Sequence, residues 1–465
     1  MSLPRYPKYK DSGVEWLGEV PWHWHLDRLK RSIVSCKNGI WGDEAQEDEN
    51  DMPCVRVADF NRQRLTVVLN EPTIRNVTKK ERVGRVLSKG DLLLEKSGGG
   101  ENQPVGCVVL YDDARPAVCS NFVARMQIAA GMDSSYWRYV HAAAYAIRLT
   151  TGSINQTSGI QNLDQDRYFN ERVAFPSLEE QQTIAAFLDR ETGKIDALIA
   201  EQLRLVELLA EKRQAVISHA VTKGLNPNVR MKDSGIEWLG EVPEHWEVKR
   251  LRFVAELNPS KSEVTKLDKE TLVSFLPMDA IGDDGTLNLE REKPIAEVET
   301  GYTYFRDGDV TIAKITPCFE NGKGAVMSGL TQGIGFGTTE LIVARPIATQ
   351  TISSYLHSLF TSVVFRKNGE GHMYGAGGQK RVPDDFVRNF EIAFPPIEEQ
   401  QTIAAFLDTE TAKFDTLTAE ANRAIALLQE RRSALISAAV TGKIDVRALS
   451  PSPSPMLGEG SIQEA

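Results

Sequence analysis

Reading the edge of a nucleic-acid base takes side chains that donate and accept hydrogen bonds in pairs, and gripping a phosphate takes Lys, Arg or backbone amides. This sequence gathers both kinds beside glycines. One cluster holds Gly152, Asn155, Gln156, Gln161 and Asn162, and another follows MYGAGG as Gln379, Lys380 and Arg381. Two further loops lie upstream: Ser97-Gly98-Gly99-Gly100 after Lys96, and Thr316-Pro317 after Lys314. Glycine lets a backbone approach a ligand closely. Between Arg56 and Lys96 the cations, Arg62 and Arg64 among them, outnumber the acids roughly two to one. The candidate DNA-contacting residues are therefore Arg56, Arg62, Arg64, Lys96, Ser97, Asn155, Gln156, Gln161, Asn162, Lys314, Thr316, Gln379, Lys380 and Arg381. The competing reading of each is a solvated surface loop.

Bond-making chemistry has no comparable signature. The Gly193-Lys194 and Gly322-Lys323 pairs are followed by Ile195 and Gly324, where a phosphate-binding loop needs Ser or Thr. No Asn/Asp-Pro-Pro-aromatic tetrapeptide, G-x-S-x-G or HExxH occurs. Pro383-Asp384 opens like a nuclease acidic motif, but Glu391 is followed by Ile392 and Ala393 with no spaced Lys. The five cysteines, Cys36, Cys54, Cys107, Cys119 and Cys318, form no CxxC pair, so neither a zinc site nor a disulfide framework is expected. No catalytic residue, metal site or cofactor is assigned to this chain.

The bulk numbers agree with a reader rather than a coat. A net charge of −10 over 465 residues argues against non-specific coverage of nucleic acid, which needs sheer positive charge. With 41% hydrophobic and 25% charged residues, the composition is that of a globular chain of several cores. No apolar run approaches the roughly 18 residues of a membrane helix, and MSLPRYPKYKDSG lacks a signal-like apolar region. A cytoplasmic protein is expected.

The elements that must position these clusters are duplicated. KDSGVEWLGEVPWHWHLDRL at 10–29 returns as KDSGIEWLGEVPEHWEVKRL at 232–251, an offset of 222. The segment opening FPSLEEQQTIAAFLD at Phe175 returns as FPPIEEQQTIAAFLD at Phe394, an offset of 219, with about 30 of some 50 positions identical. Between the repeats, 30–174 and 252–393 share little beyond Gly90-Asp91 and Gly308-Asp309, each read as a turn entering a strand. A repeated frame meets the same thing twice, while divergent inserts meet two different things.

After Pro176 and Pro395 each repeat runs about 45 residues with no internal proline and apolar residues at 3-4 spacing, which predicts a long helix. The expected stripes are Ile184, Leu188, Ile195, Leu198, Leu205, Leu209 and Val216, then Ile403, Leu407, Phe414, Leu417, Leu428 and Leu435. Two copies in one chain are expected to pair antiparallel. Glu179, Glu180, Gln181 and Gln182, repeated as Glu398, Glu399, Gln400 and Gln401, are polar and identical, and are candidates for docking a partner. The Trp-rich segments, with Trp16, Trp22 and Trp24 against Trp238 and Trp246, are expected to dock on the helical frame.

Taken together, FPP(I/L)EEQQTIAAFLD, the RxxLISxAVTGK ending, and FLPMDAIG, GYTYFRDGDVTIAKITPCFENGKGA, GFGTTELIVARP and GAGGQKRVP in the second insert resemble the specificity (S) subunits of Type I restriction-modification systems. VRVADF, GDLLLEKSGGG, VGCVVL and SNFVAR follow in the matching order in the first insert. The resemblance covers the chain to about residue 445. It implies an α+β architecture: two α/β target recognition domains separated by two long, antiparallel-packed conserved helices in a pseudo-two-fold arrangement. The implied boundaries are 1–175 for the first recognition domain, 176–224 for the first helical region, 225–394 for the second domain, 395–443 for the second helical region and 444–465 for a disordered tail. Each domain would read one half of an asymmetric, bipartite double-stranded DNA target, with the helices setting the spacer. Two modification (M) subunits carrying S-adenosylmethionine would dock on the repeated frame, with restriction (R) subunits using ATP and Mg joining them. A non-catalytic protein-interaction scaffold is the alternative reading.

Overall fold

The computed structural model describes residues 3–157, 159–376 and 378–449, so most of the expected tail lies outside the described residues. Residues 444–449 are ordered onto the first unit, where Ile444 and Val446 are buried. The described residues form two compact units, 3–203 with 423–449 and 204–422. Each therefore holds the first part of one long helix and the last part of the other. Among the described residues no helix is long and apolar enough to cross a membrane.

In the first unit the central sheet orders Ile33–Asn38, Val123–Ile128, Leu92–Glu95 and Val108–Leu110, extended by Thr66–Val67 and Phe60–Asn61. In the second, Ala255–Leu257, Leu341–Pro346, Val310–Ala313 and Gly324–Val326 take the same antiparallel order. Leu92, Leu93 and Leu94 are all buried, as are Val310, Thr311, Ile312 and Ala313, because these strands are covered on both faces. Such strands read as apolar runs without alternation.

The Gly-Asp turns that lead into these strands are built alike. Gly90 (φ +97) and Gly308 (φ +89) occupy the left-handed region that favours glycine. The following carboxylate accepts from the amide three residues back, Ser88 N to Asp91 Oδ2 at 2.7 Å and Arg306 N to Asp309 Oδ2 at 2.9 Å. It then pairs with an arginine on the neighbouring strand: Arg125 Nε to Asp91 at 2.7 Å, and Arg345 Nε to Asp309 at 2.7 Å with a second bond at 2.8 Å. All four side chains are largely buried.

Each long helix, Leu178–Lys223 and Ile397–Val440, starts just after the strand that pairs with the Trp-rich repeat: Arg172–Phe175 with His25–Arg28, and Glu391–Phe394 with Glu247–Arg250. Trp24 and Trp246 are fully buried in their units, whereas Trp22 and Trp238, also expected to dock, are exposed. In the first unit Ile184 and Leu188 share a core with Ile436, Ala439 and Val440, and Ile195 and Ile199 with Ile425. The helix pair within that unit is antiparallel. The second unit repeats this, with Ile403 and Leu407 against Ile217, Ala220 and Val221. Equivalent ion pairs cross each pair of helices: Asp196 with Arg432 at 3.0 Å, and Asp415 with Arg213 at 3.6 Å.

The stripe departs from expectation at Leu198, Leu205 and Leu417, which are exposed, while Ile199, Ala421 and Ile425 are buried. From Ile195, a step of four residues advances only about 40° around a 3.6-residue helix, whereas a step of three falls back about 60°. The seam therefore follows Ile199.

A further duplicated device locks the helix ends. Ser134-Ser135-Tyr136 opens the helix Ser134–Ala146, and Ser353-Ser354-Tyr355 opens Ser353–Thr361. Both tyrosines are fully buried, and their hydroxyls donate to last-turn carbonyls, Tyr136 to Val440 O at 3.4 Å and Tyr355 to Val221 O at 3.2 Å. Those carbonyls have no partner within the helix.

On the same short helix of the first unit, His141 is fully buried with Nδ1 2.8 Å from the Tyr168 hydroxyl, and burial pushes its pKa down to about 3 from 6.5. The unfolded chain takes up this proton near pH 6.5 and the folded chain resists it. Stability is therefore complete above that pH and declines as pH falls from 6.5 toward 3. Thermal melts should show His141→Gln narrowing the loss of stability between about pH 7 and about pH 5 by about 2 kcal/mol. An unchanged pH dependence would mean that His141 is not the group that titrates.

Candidate nucleic-acid interface

Beyond its core strand each unit continues into the expected polar cluster through the same backbone bonds. Lys96 N donates to Phe122 O and Lys314 N to Glu340 O, both at 2.8 Å. Leu163 N donates to Lys96 O and Val382 N to Lys314 O, again both at 2.8 Å. Lys96 and Lys314 are thus structural counterparts, as are the segments ending at Asn162 and Arg381.

What this common backbone carries differs. In the first unit Ser97–Gly98, Ile160–Leu163 and Ile154–Thr157 form a three-stranded sheet. Its register sets Ser97, Asn162 and Asn155 in one row, and Gly98, Gln161 and Gln156 in the next. Directly opposite residues share a face. One row is therefore Ser-Asn-Asn, with Ser97 Oγ donating to Asn162 Oδ1 at 2.6 Å, and Asn155 and Gln156 are exposed. Lys96 Nζ reaches Asn38 Oδ1 at 2.9 Å. Gln161 is the exception, buried with its Oε1 accepting from Val105 N at 3.2 Å. It holds the glycine loop in place instead of facing a ligand.

In the second unit the place of the sheet is taken by a tighter loop. Ile315 and Tyr374 each bridge to Arg381, and Thr316 N donates to Lys380 O at 3.0 Å. Gln379 and Lys380 are exposed, and among the described residues the Lys380 ammonium has no ion-pair partner. Arg381 forks onto Glu340, with Nη2 to Oε1 at 2.7 Å and Nε to Oε2 at 2.9 Å, which holds the Glu340 carboxyl below the usual carboxylate range. Arg381 is first a strut under the loop. Thr316 Oγ1 is likewise engaged by Glu320 at 3.0 Å.

Three side chains escaped the sequence reading. Tyr374, inside the MYGAGG loop, is exposed beside Arg381, and Lys261 and Tyr302 join Asn258, Tyr304 and Lys314 around a groove of about 410 Å³. An aromatic within a glycine loop was a usable signal for Tyr374. Nothing local marks Lys261 or Tyr302, which come from two different connections, one after Ala255–Leu257 and one before Thr303–Arg306.

The basic run of the first unit is only partly available. Arg62 is engaged within the fold: its guanidinium is 2.8 Å from Glu95, a carboxylate almost wholly buried, and burial raises the Glu95 pKa against the pull of Arg62. Removing that partner would leave a buried charge uncompensated. Arg56 is tied to Asp59 at 3.0 Å, whereas Arg64 is exposed.

The repeated Glu-Glu-Gln-Gln also divides. Gln181 and Gln400, 1% and 0% exposed, each donate to the carbonyl five residues back, Pro176 O and Pro395 O. Each also accepts from the backbone at the start of a short helix, Asp133 N and Ile352 N. Glu180 is buried under Tyr6 and His23, and Glu399 is partly covered with His245 at 2.6 Å. These four make contacts inside their own units, which gives their shared polar identity a folding reason. Glu179, Gln182, Glu398 and Gln401 face solvent. Exposed leucines accompany them on the helices: Leu198, Leu203 and Leu427 in the first unit, and Leu205, Leu208 and Leu417 in the second. Among the described residues no group of three or more His, Cys, Asp or Glu is placed to hold a metal ion.

Residues 243–426 match the family model of the Type I restriction modification DNA specificity domain. The chain is 49% identical over 165 residues to the Type I restriction enzyme EcoAI specificity subunit of Escherichia coli, an alignment covering 35% of this chain and 27% of that protein. The chain thus spans about a quarter of the length of this curated relative. In fold it is similar to a solved chain of a type I R-M system, with TM-score 0.62 at 16% identity, covering 90% of this chain and 98% of the other. The HsdS subunit from Thermoanaerobacter tengcongensis gives a TM-score of 0.50 at 16% identity, covering 91% and 98%.

Proposed function

We propose that this chain, which resembles the Type I restriction-modification specificity subunits in sequence and in fold, is the DNA sequence-specificity subunit of such a complex. It reads an asymmetric bipartite target in double-stranded DNA, one half with each unit, and performs no catalysis itself. The carrying observation is that one backbone arrangement, anchored by Lys96 in one unit and Lys314 in the other, presents Ser97, Asn155 and Asn162 in the first and Gln379, Lys380 and Tyr374 in the second. Amide side chains pair naturally with adenine edges, while Lys favours guanine or phosphate. Two such surfaces suit two different short sequences.

The modification subunits dock on the duplicated helices, for which the exposed leucines and the outward Glu179, Gln182, Glu398 and Gln401 offer paired surfaces. Those subunits bring S-adenosylmethionine, and the restriction subunits bring ATP and Mg. The test is a methylome comparison of host DNA with this chain present or deleted while the modification partner stays expressed. Loss of one bipartite adenine-methylation motif is the expected result. Retention of every motif would favour a protein-interaction scaffold.

A further inference from the structure

Beside Lys96 the first unit leaves a large aromatic side chain in solvent. Phe122 is 48% exposed, although Val123, Ala124 and Met126 just after it are fully buried. Its carbonyl accepts from Lys96 N at 2.8 Å and from Ser97 N at 3.2 Å. This carries the strand pairing one step beyond Glu95 and Val123 and sets Phe122 opposite Lys96. The Lys96 ammonium then reaches across the intervening strand to Asn38 Oδ1 at 2.9 Å. Asn38, Phe122 and Lys96 thus meet at one end of three adjoining strands, and Ser97 leads from them into the Ser-Asn-Asn row.

The second unit carries an acid at this position. Glu340 O accepts from Lys314 N just as Phe122 O accepts from Lys96 N, and the Glu340 carboxylate is held by the Arg381 guanidinium beneath the loop. In the first unit the counterpart of Arg381 is Asn162, which is engaged by Ser97. No strut forms there, and the ring that replaces the acid stays open to solvent. Neighbouring strands stand about 4.8 Å apart, so the three strands that bring Asn38, Phe122 and Lys96 together span about 10 Å. That is the rise of about three stacked base pairs. On base edges in the major groove, amides and ammonium groups find donors and acceptors, and the apolar feature is the C5 methyl of thymine.

We propose that Phe122 is a specificity-determining residue of the first unit, packing its ring on the C5 methyl of one thymine in that unit's half-site. The inference rests on the DNA-reading assignment and adds the base feature that this position selects. Asn38 and Lys96, on either side, take the polar edges of the adjoining pairs. The second unit makes no methyl contact from this position, because Glu340 is committed to Arg381.

The test uses the full chain with its modification partner and duplexes carrying the motif found by the methylome comparison, with deoxyuridine replacing each thymidine in turn. Uracil pairs as thymine does and lacks only the methyl. One replacement, in the half-site that an exchange of 252–393 leaves unchanged, should weaken binding about fourfold, the worth of one buried methyl. Phe122→Ser should bind the thymine and uracil duplexes alike, and Phe122→Leu should keep the preference for thymine. Phe122→Gln, close in shape to the acid that the second unit carries there, replaces the serine variant if that one folds poorly. Each ratio is taken within one variant, so a general loss of stability does not imitate the result. Wild-type binding indifferent to every replacement in that half-site, a half-site without thymine, or a uracil penalty that survives Phe122→Ser or Phe122→Gln would overturn the proposal. Absence of any sequence-specific binding would instead overturn the DNA-reading assignment, and this inference with it.

Discussion

Asp309→Ala is expected to cost the second unit about 3 kcal/mol, because the largely buried Arg345 guanidinium loses its bidentate partner and keeps only the 3.6 Å contact to Glu263. The same carboxylate closes the Gly308 turn through Arg306 N, so the turn and the strand pairing fail together. Asp91→Ala should act likewise on the first unit through Arg125. Arg381→Ala is the contrast: its pair with Glu340 is more than a third exposed on the arginine side, and an exposed pair contributes at most about 1 kcal/mol. Hydrogen exchange, read separately over each unit's core strands, would measure these losses. Equal effects of Asp309→Ala and Arg381→Ala would refute the distinction between a buried lock and a surface strut. A double Asp309→Leu, Arg345→Met variant should recover much of the loss, since apolar replacement of a buried pair is often neutral.

These locks show why the sequence was legible in some places and opaque in others. The frame could be read directly because repetition over tens of residues exceeds chance, and the pairing of Ile184 with Val440 and of Ile403 with Val221 within their units follows from it. The inserts carry duplicated devices too, Val-Ala-Arg at 123–125 and 343–345 and Ser-Ser-Tyr at 134–136 and 353–355. Three matching residues in an insert of this length are indistinguishable from noise until Arg125 is seen against Asp91, or Tyr136 against Val440 O. The polar clusters were found because glycines and amides are concentrated locally. Individual members were not resolved: Gln161 turns inward and Arg62 neutralises Glu95, 33 residues away, and neither fact is visible to a count of charges. The Glu-Glu-Gln-Gln repeat could not be divided for a related reason. Identity between two copies records a shared constraint, and here half of that constraint is the anchoring of each long helix to its own unit by Gln181 and Gln400.

The same separation of locks from readers determines how the inserts can be exchanged, and this gives the second large expected effect. Replacing 252–393 with the equivalent segment of another such protein should change one half of the methylated sequence completely and leave the other half intact. The replacement must keep the parts that fasten it: the Asp309–Arg345 pair, the Tyr355 hydroxyl on Val221 O, and the Gln350 carbonyl and Thr351 hydroxyl that meet Gln400. All of these lie on core strands, in the turn that leads into one, or at or just before the start of a short helix, whereas Gln379, Lys380 and Tyr374 lie on the loop beyond them. Each mismatched base pair costs about 1 to 3 kcal/mol, so losing the contacts to a half-site of a few base pairs removes specific methylation at the old sequence. Methylome sequencing with the modification partner present would read both halves at once. A change in both halves would mean that the two units do not read independently. An insert that lacks the Asp-Arg pair should instead give no methylation at all, because the loop would then have no rigid strand to hold it.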